Sequence, residues 1–367
     1  MGTMPSRRIA YYISAHGYGH GVRSCDVIRA VHRLYPEIGV VVVTDLPAPF
    51  LKNRISSGNT MYRAGAFDVG MVQLDSIRVD VDATLGKLDA LYARKDELIA
   101  RERSFLRDQG IGAVVSDIPA IPMEAAKATG IPAVAAGNLC WDWIYSIFVG
   151  QDPRWEKYVR EFRASYGKAD VLLRYPFHGD MSAFPNPVDI PVLASPGRSR
   201  REEMTAMTGC SPSKKWVLLS FTTLDWDEQA LRAVGECSEY EFFTIKPLEW
   251  RRKNIHPIDR EVMPFTDVLA SVDAVITKPG FGVISECLVN RKPMIYADRS
   301  DFIEYEVLVR AIEKYLKHLH IPSERLYAGD VKEYVDRVWS CPEPAESLSA
   351  GGDVVAAGQI IKYLRPR

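Results

Sequence analysis

The stretch Ile9-Ala10-Tyr11-Tyr12-Ile13-Ser14-Ala15-His16-Gly17-Tyr18-Gly19-His20-Gly21 decides the reading of the fold. Its apolar and aromatic half makes a short buried strand, and its second half is a glycine-rich turn carrying two histidines. A helix follows at once from Val22 to Leu34, apolar at Val22, Cys25, Ile28, Ala30 and Val31. Strand, glycine turn and helix form the opening unit of a doubly wound α/β domain. The turn lies at the carboxyl end of the first strand, where open α/β sheets bind their ligands. Glycine there lets a ligand approach the backbone closely, and histidine is suited to proton transfer near neutral pH.

Working outward, Gly39 to Thr44 is a β-branched strand and Val69 to Leu74 another. Asp82 to Gln109 reads as one long helix, with Leu85, Leu88, Tyr92, Ile99 and Leu106 at three-to-four-residue spacing and charges elsewhere. Ala113 to Asp117 is a strand with an acid at its carboxyl end. A helix (Pro122 to Thr129), a strand (Ile131 to Gly137), two helical segments and a last strand of this half (Val171 to Tyr175) come after it. From Asn186 to Lys215 the chain is rich in Pro, Ser and charge, and reads as a connection with one short helix. A second α/β set then runs through strands at Trp216–Phe221, Tyr240–Ile245, Asp273–Thr277 and Pro293–Ala297, with helices between them, at roughly 302–318 and at 330–340. Val354 to Leu364 is an amphipathic closing helix. The expected domains are 1–188, 189–350 and a C-terminal helix over 351–367, the first two being copies of one architecture with parallel sheets.

At 367 residues the chain is long enough for about two domains. A net charge of −1 provides no bulk basic field for nucleic acid. No apolar run approaches the ~20 residues of a membrane span, and Met1 to Arg8 has no signal-peptide core. The six cysteines are scattered without a Cys-x-x-Cys pair, which suits reduced thiols and a cytoplasmic location.

A second informative segment is Thr277-Lys278-Pro279-Gly280-Phe281-Gly282-Val283-Ile284-Ser285-Glu286. A strand ends, a tight turn follows and a helix begins, with Ser285 and Glu286 in its first turn. Free amides at a helix start bind phosphate oxygens; the alternative is a plain βα turn. It is not a Walker loop. The opening turn lacks the third glycine of a dinucleotide fingerprint, since position 22 is Val, which disfavours reading Asp45 as the ribose-binding acid of a dehydrogenase. His16 and His20 stand four apart, but in a glycine turn rather than on a helix, and no metal site is assigned to them.

Together these segments resemble the two-domain GT-B type nucleotide-sugar glycosyltransferases. Asp273 to Glu286 followed by Lys292 to Ala297 is similar to the donor-binding signature of the lipid-II-forming N-acetylglucosaminyltransferase family. Ala10 to His20, Val114 to Asp117, Asn138 to Tyr145 and the 278–286 turn carry a fuller resemblance to the N-terminal glycosyltransferase-like region of plant L-arabinokinases. It covers most of the chain apart from roughly 45–110 and 180–215. Within these 367 residues no segment resembles the sugar-kinase half of those proteins.

The resemblance implies two Rossmann-like domains facing across a cleft. It implies that a histidine of the first turn, His20 in preference to His16, deprotonates an acceptor hydroxyl while Asp117 orients it. Gly280, Phe281, Gly282, Val283 and Ser285 would hold the donor diphosphate and Glu286 its ribose. Thr222 and Thr223 replace the Gly/Ser/Thr phosphate contact of relatives, where Phe-Gly-Gly or Phe-Gly-Ser is usual. Asp301 and Glu304 match the donor-sugar positions loosely, with a surface helix start as the equal alternative. Gly19, Asn138, Trp141 and Trp143 would meet the acceptor, the tryptophans by stacking unless they are core. Arg23 and Lys246 add positive charge.

The expected activity is inverting transfer from a nucleotide-diphosphate sugar, a UDP-sugar foremost, without metal or other cofactor. The alternatives are a nucleotide-sugar epimerase or hydrolase on the same fold, or a non-catalytic sugar-nucleotide sensor. The acceptor, whether small metabolite, lipid-linked sugar, protein or nucleic acid, and the oligomeric state are not specified by sequence; the near-zero charge favours neither lipid nor nucleic acid and rules out neither.

Overall fold

The computed structural model describes residues 7–56, 58–72, 80–298 and 303–364. They form two units, one comprising 7–193 with 351–364 and the other 194–350. In the first, the order is β1 (Arg8–Ile13), α1 (Tyr18–Leu34), β2 (Gly39–Val43), α2 (Ala48–Arg54), β3 (Thr60–Arg63), α3 (Val81–Tyr92) and α4 (Lys95–Asp108). It continues with β4 (Ile111–Asp117), α5 (Ile121–Thr129), β5 (Ala133–Gly137), α6 (Trp141–Ser146), α7 (Arg154–Tyr166), β6 (Val171–Arg174) and β7 (Pro187–Asp189). The sheet order is β3-β2-β1-β4-β5-β6-β7, parallel throughout. β2 and β4 are buried at every residue, as strands covered by helices on both faces must be.

The second unit runs α8 (Arg201–Thr208), β8 (Lys215–Ser220), α9 (Glu228–Gly235), β9 (Tyr240–Ile245), β10 (Ile255–Ile258), α10 (Phe265–Ser271), β11 (Ala274–Thr277) and α11 (Phe281–Val289). Then come β12 (Met294–Ala297), α12 (Glu304–Tyr315), β13 (His318–Ile321), α13 (Ser323–Tyr327) and α14 (Lys332–Val338). Its parallel sheet has the order β10-β9-β8-β11-β12-β13. Apart from β7, both units thus show the same doubly wound order, whose switch points fall between β1 and β4 and between β8 and β11. Among the described residues no helix is long and apolar enough to cross a membrane.

The last helix, α15 (Gly352–Tyr363), belongs to the first unit. Ala356, Ala357 and Ile360 join Cys25, Ile28 and Val31 of α1 in one buried cluster. Gly352 permits this: a Cβ there would stand 2.0 Å from the Pro191 carbonyl oxygen.

Four expectations need correction. The helix over 82–109 is two helices, α3 and α4, because the buried face moves out of phase: Leu85 and Leu88 in the first, Leu98, Glu102 and Leu106 in the second. Glu102 is not one of the solvated charges. It is fully buried, bound by both Arg63 guanidinium nitrogens at 2.5 and 2.6 Å and by the Tyr12 hydroxyl at 2.8 Å. The strand expected over 69–74 is absent over 69–72, and 73–74 lie outside the described residues; β3 occupies that edge instead. Finally, β6 is followed by β7, while β10 and β13 add strands to the second sheet where none was expected.

Candidate active site

Parallel pairing of β1 with β4 sets Ile13 beside Asp117, and the Ser14 amide donates to the Asp117 carbonyl at 2.8 Å. α1 begins four residues beyond Ser14. Its first turns place residues 20, 23 and 24 on one face, the i, i+3, i+4 relation, and that face looks at the Asp117 carboxylate. His20 Nδ1 lies 2.9 Å from Oδ1. Arg23 donates through Nε to Oδ2 at 2.6 Å and through Nη2 to Oδ1 at 2.5 Å. The Ser24 hydroxyl donates to Oδ2 at 3.0 Å. Arg23 Nη1 also donates to the Asn138 amide oxygen at 2.6 Å, just beyond β5. Asp117 is fully buried and His20 nearly so. Burial alone would push the Asp117 carboxyl up, but the Arg23 guanidinium and then the His20 ring hold it well below the usual carboxylate range.

His16 has other neighbours. Its ring meets Trp141 edge-on at 5.2 Å and lies over Gly70, where a Cβ would come within 2.1 Å of Nδ1. Gly70 has φ +68, and its carbonyl accepts from the Tyr145 hydroxyl at 3.0 Å. The two histidines expected in one glycine turn are thus parted: His16 stays in the turn before α1, while His20 lies in the first turn of α1, which begins at Tyr18, and bonds Asp117.

Gly19 lies in the first turn of α1 with open space around its Cβ position. Asn138 is buried and engaged by Arg23. Trp143 is half-buried against Gly179. Trp141 does not offer a stacking face. It is 1% exposed, stacks on Tyr145, and donates its indole N–H to Asp68 Oδ2 at 2.9 Å. Of the two possibilities for this tryptophan, packing wins, because the aromatic layer of Tyr145, Trp155, Phe162 and Tyr166 continues beneath it.

Asp68 is a residue that sequence reading missed. Burial raises its carboxyl, opposed by hydrogen bonds from Ser14 and Trp141 and by the proximity of His20. It comes from an irregular segment after β3 with no local signature. Ser24, by contrast, was findable from its helical spacing to His20.

In the second unit, Thr277 pairs in register with Ser220. This sets the loop carrying the exposed Thr222 and Thr223 beside the 278–283 turn at the switch point between β8 and β11. α11 starts at Phe281 with Gly280 as its N-cap, so no side chain caps the first amides. Gly282 is exposed, and a Cβ there would meet nothing within 4 Å. Val283 completes the first turn, and Ser285 and Glu286, both half-buried, fall in the second turn rather than the first. Glu304 opens α12 and is buried; Asp301 lies outside the described residues. Among the described residues, no cluster of three or more His, Cys, Asp or Glu side chains is arranged to hold a metal ion.

Two parallel sheets of this order, each with its glycine turn at the switch point, are the fold of the GT-B glycosyltransferases. The chain is similar to the Polygonum tinctorium UDP-glucosyltransferase capable of glucosylating indoxyl, with a TM-score of 0.64, 14% identity and full coverage of both chains. The calicheamicin glycosyltransferase CalG4 matches with a TM-score of 0.63 at 13% identity, over 98% of this chain and 94% of that one. Arabidopsis thaliana UGT89C1, solved with quercetin, gives 0.63 at 15% identity, over 98% and 94%. In sequence, the chain is 27% identical over 358 residues to L-arabinokinase of Arabidopsis thaliana, covering 95% of this chain and 33% of that protein. The chain thus spans about a third of the length of the curated relative it matches. No protein-family model matches it.

Proposed function

We propose that this protein is an inverting glycosyltransferase that moves a sugar from a nucleotide-diphosphate sugar, a UDP-sugar foremost, to an acceptor hydroxyl, with His20 as general base. The observation that carries the reading is the contact of His20 Nδ1 with the buried Asp117 carboxylate. An N–H at Nδ1 directed to that carboxylate leaves the Nε2 lone pair to take a proton. In the reaction, Nε2 accepts the acceptor hydroxyl proton and the oxygen attacks the anomeric carbon. The bond from that carbon to the diphosphate oxygen breaks, and nucleoside diphosphate leaves. The uncapped amides of α11 and its helix dipole stabilise the leaving diphosphate, with Thr222 and Thr223 alongside, and no metal enters the step. Glu286 accepts from the ribose hydroxyls, and the resemblance assigns Asp301 and Glu304 to the donor sugar. Asn138, Gly19 and Trp143 remain on the acceptor side with His20, and His16 shapes its wall beside Trp141.

The fold of nucleotide-sugar transferases and the glycine turn at the second switch point support this reading. The experiment is a thermal-shift screen with nucleoside diphosphates and UDP-sugars, followed by transfer assays of the wild type and His20→Ala. Binding stabilises the folded state with the logarithm of ligand concentration. His20→Ala should lower kcat by about 10²–10⁴-fold while the donor-induced shift is retained. Undiminished transfer in that variant would remove His20 as the base.

A further inference from the structure

Arg23 makes more contacts with Asp117 than His20 does. Its fork takes both carboxylate oxygens, through Nε and Nη2, while Nη1 is anchored on Asn138. Such a planar two-point contact fixes a carboxylate in orientation as well as in charge. Arg23 Nη2 and His20 Nδ1 converge on the same oxygen and lie 2.9 Å apart. The arginine side chain is 13% exposed, so water screens these charges little.

The geometry has two readings for the ring. If Nδ1 carries the proton, it donates to Asp117 Oδ1, and the arginine proton goes to the same oxygen. If Nδ1 is bare, it accepts from Nη2 and the proton sits on Nε2, which then has no lone pair for an acceptor hydroxyl. A carboxylate held against Nδ1 favours the first tautomer. The guanidinium beside it opposes a second proton on the ring, because imidazolium and guanidinium would then face each other at 2.9 Å.

We propose that Arg23 is a positioning residue for His20: it locks Asp117 against Nδ1, balances the carboxylate's charge in advance, and thereby holds the ring as the neutral Nδ1–H tautomer. Among the described residues, few charged groups stand around the ring. Asp117 faces it from β4 and Arg23 from α1. Asp68 acts on it from the segment after β3, and the neutral Tyr11 and Tyr175 flank the carboxylate from β1 and from just beyond β6. Among the described groups near the ring, Arg23 is the cation in direct contact with Nδ1.

The catalytic meaning of this proposal rests on His20 being the base; its test does not. In the full-length protein with ¹⁵N-labelled histidine, the His20 ring, identified by its loss in His20→Gln, is followed by two-bond proton–nitrogen correlation. The wild type should show the Nδ1–H tautomer at neutral pH, and a proton on Nε2 overturns the proposal. Arg23→Met and Arg23→Gln both release the carboxylate and should let the Nε2–H tautomer appear beside the Nδ1–H form at neutral pH; the glutamine retains hydrogen bonding should the methionine variant fail to fold. Arg23→Lys keeps the charge against Asp117 and should keep the Nδ1–H form dominant. An unchanged Nδ1–H signal in the two neutral variants overturns the proposal, as does an equal loss in all three. For UDP-sugar turnover, kcat should fall in parallel with the Nδ1–H population while KM for the donor holds. A tautomer that changes while kcat does not would refute His20 as base and leave the role of Arg23 intact.

Discussion

At Asp117, burial and charge pull in opposite directions, and charge wins because three donors in addition to the imidazole contact meet two oxygens. Its folded-state pKa lies below that of the unfolded chain, so the stability it contributes is fully present above the unfolded value of about 4 and is lost as pH falls below it. The difference in unfolding free energy between wild type and Asp117→Asn should therefore narrow as pH is lowered from 5 to 3, measured by urea denaturation. At neutral pH the variant leaves the Arg23 guanidinium buried without its anion, at a cost of about 3–5 kcal/mol. Gly70 is another residue whose identity is dictated at a single position. Its φ of +68 and the His16 ring over it leave no room for a methyl group. Gly70→Ala should lower the unfolding free energy by at least about 1 kcal/mol and shift the His16 ring resonances. A fully stable variant with an unchanged ring would show that the contact is not tight.

At the scale of the element, the two glycine turns do different work. The first starts a helix whose face of His20, Arg23 and Ser24 grips a carboxylate, while the second starts a helix whose amides are open. Gly282→Ala tests the second cleanly, because the side chain would enter open space and the fold should keep its Tm. Affinity for UDP, measured by calorimetric titration, should fall about tenfold, or about 1.4 kcal/mol. Unchanged affinity would move the diphosphate away from this turn. The long strands and both turns were legible in the sequence, since β-branched runs ending in glycine have few other solutions. The strands β3, β7, β10 and β13 were not. β10 is Ile255-His256-Pro257-Ile258 at a sheet edge, where proline is tolerated, and β13 alternates histidine with apolar residues after a helix that runs up to it. Pattern alone also merged α3 with α4, because apolar spacing does not reveal a change of axis.

For the molecule as a whole, the chain closes the first unit last. α15 returns after the entire second unit to cover α1, and Ile360 is fully buried in the first unit's core, separate from the cluster of the second. Ile360→Ala should cost about 2–5 kcal/mol of the first unit's stability. Calorimetry should show that transition moving down while the transition of the second unit stays in place; an equal fall in both would mean that the two units unfold as one.

The sequence by itself determined the α/β class, the two copies of one wound sheet, and the two turns that carry the candidate chemistry, because these rest on local periodicity and on glycine's backbone freedom. Only the tertiary structure decided which histidine meets Asp117, that Arg23 holds the same carboxylate, and that Trp141 is packed away with its indole N–H on Asp68. Those relations join residues some 70 to 120 positions apart along the chain. They depend on strand register and on which face of a helix turns inward, and no short-range pattern encodes either.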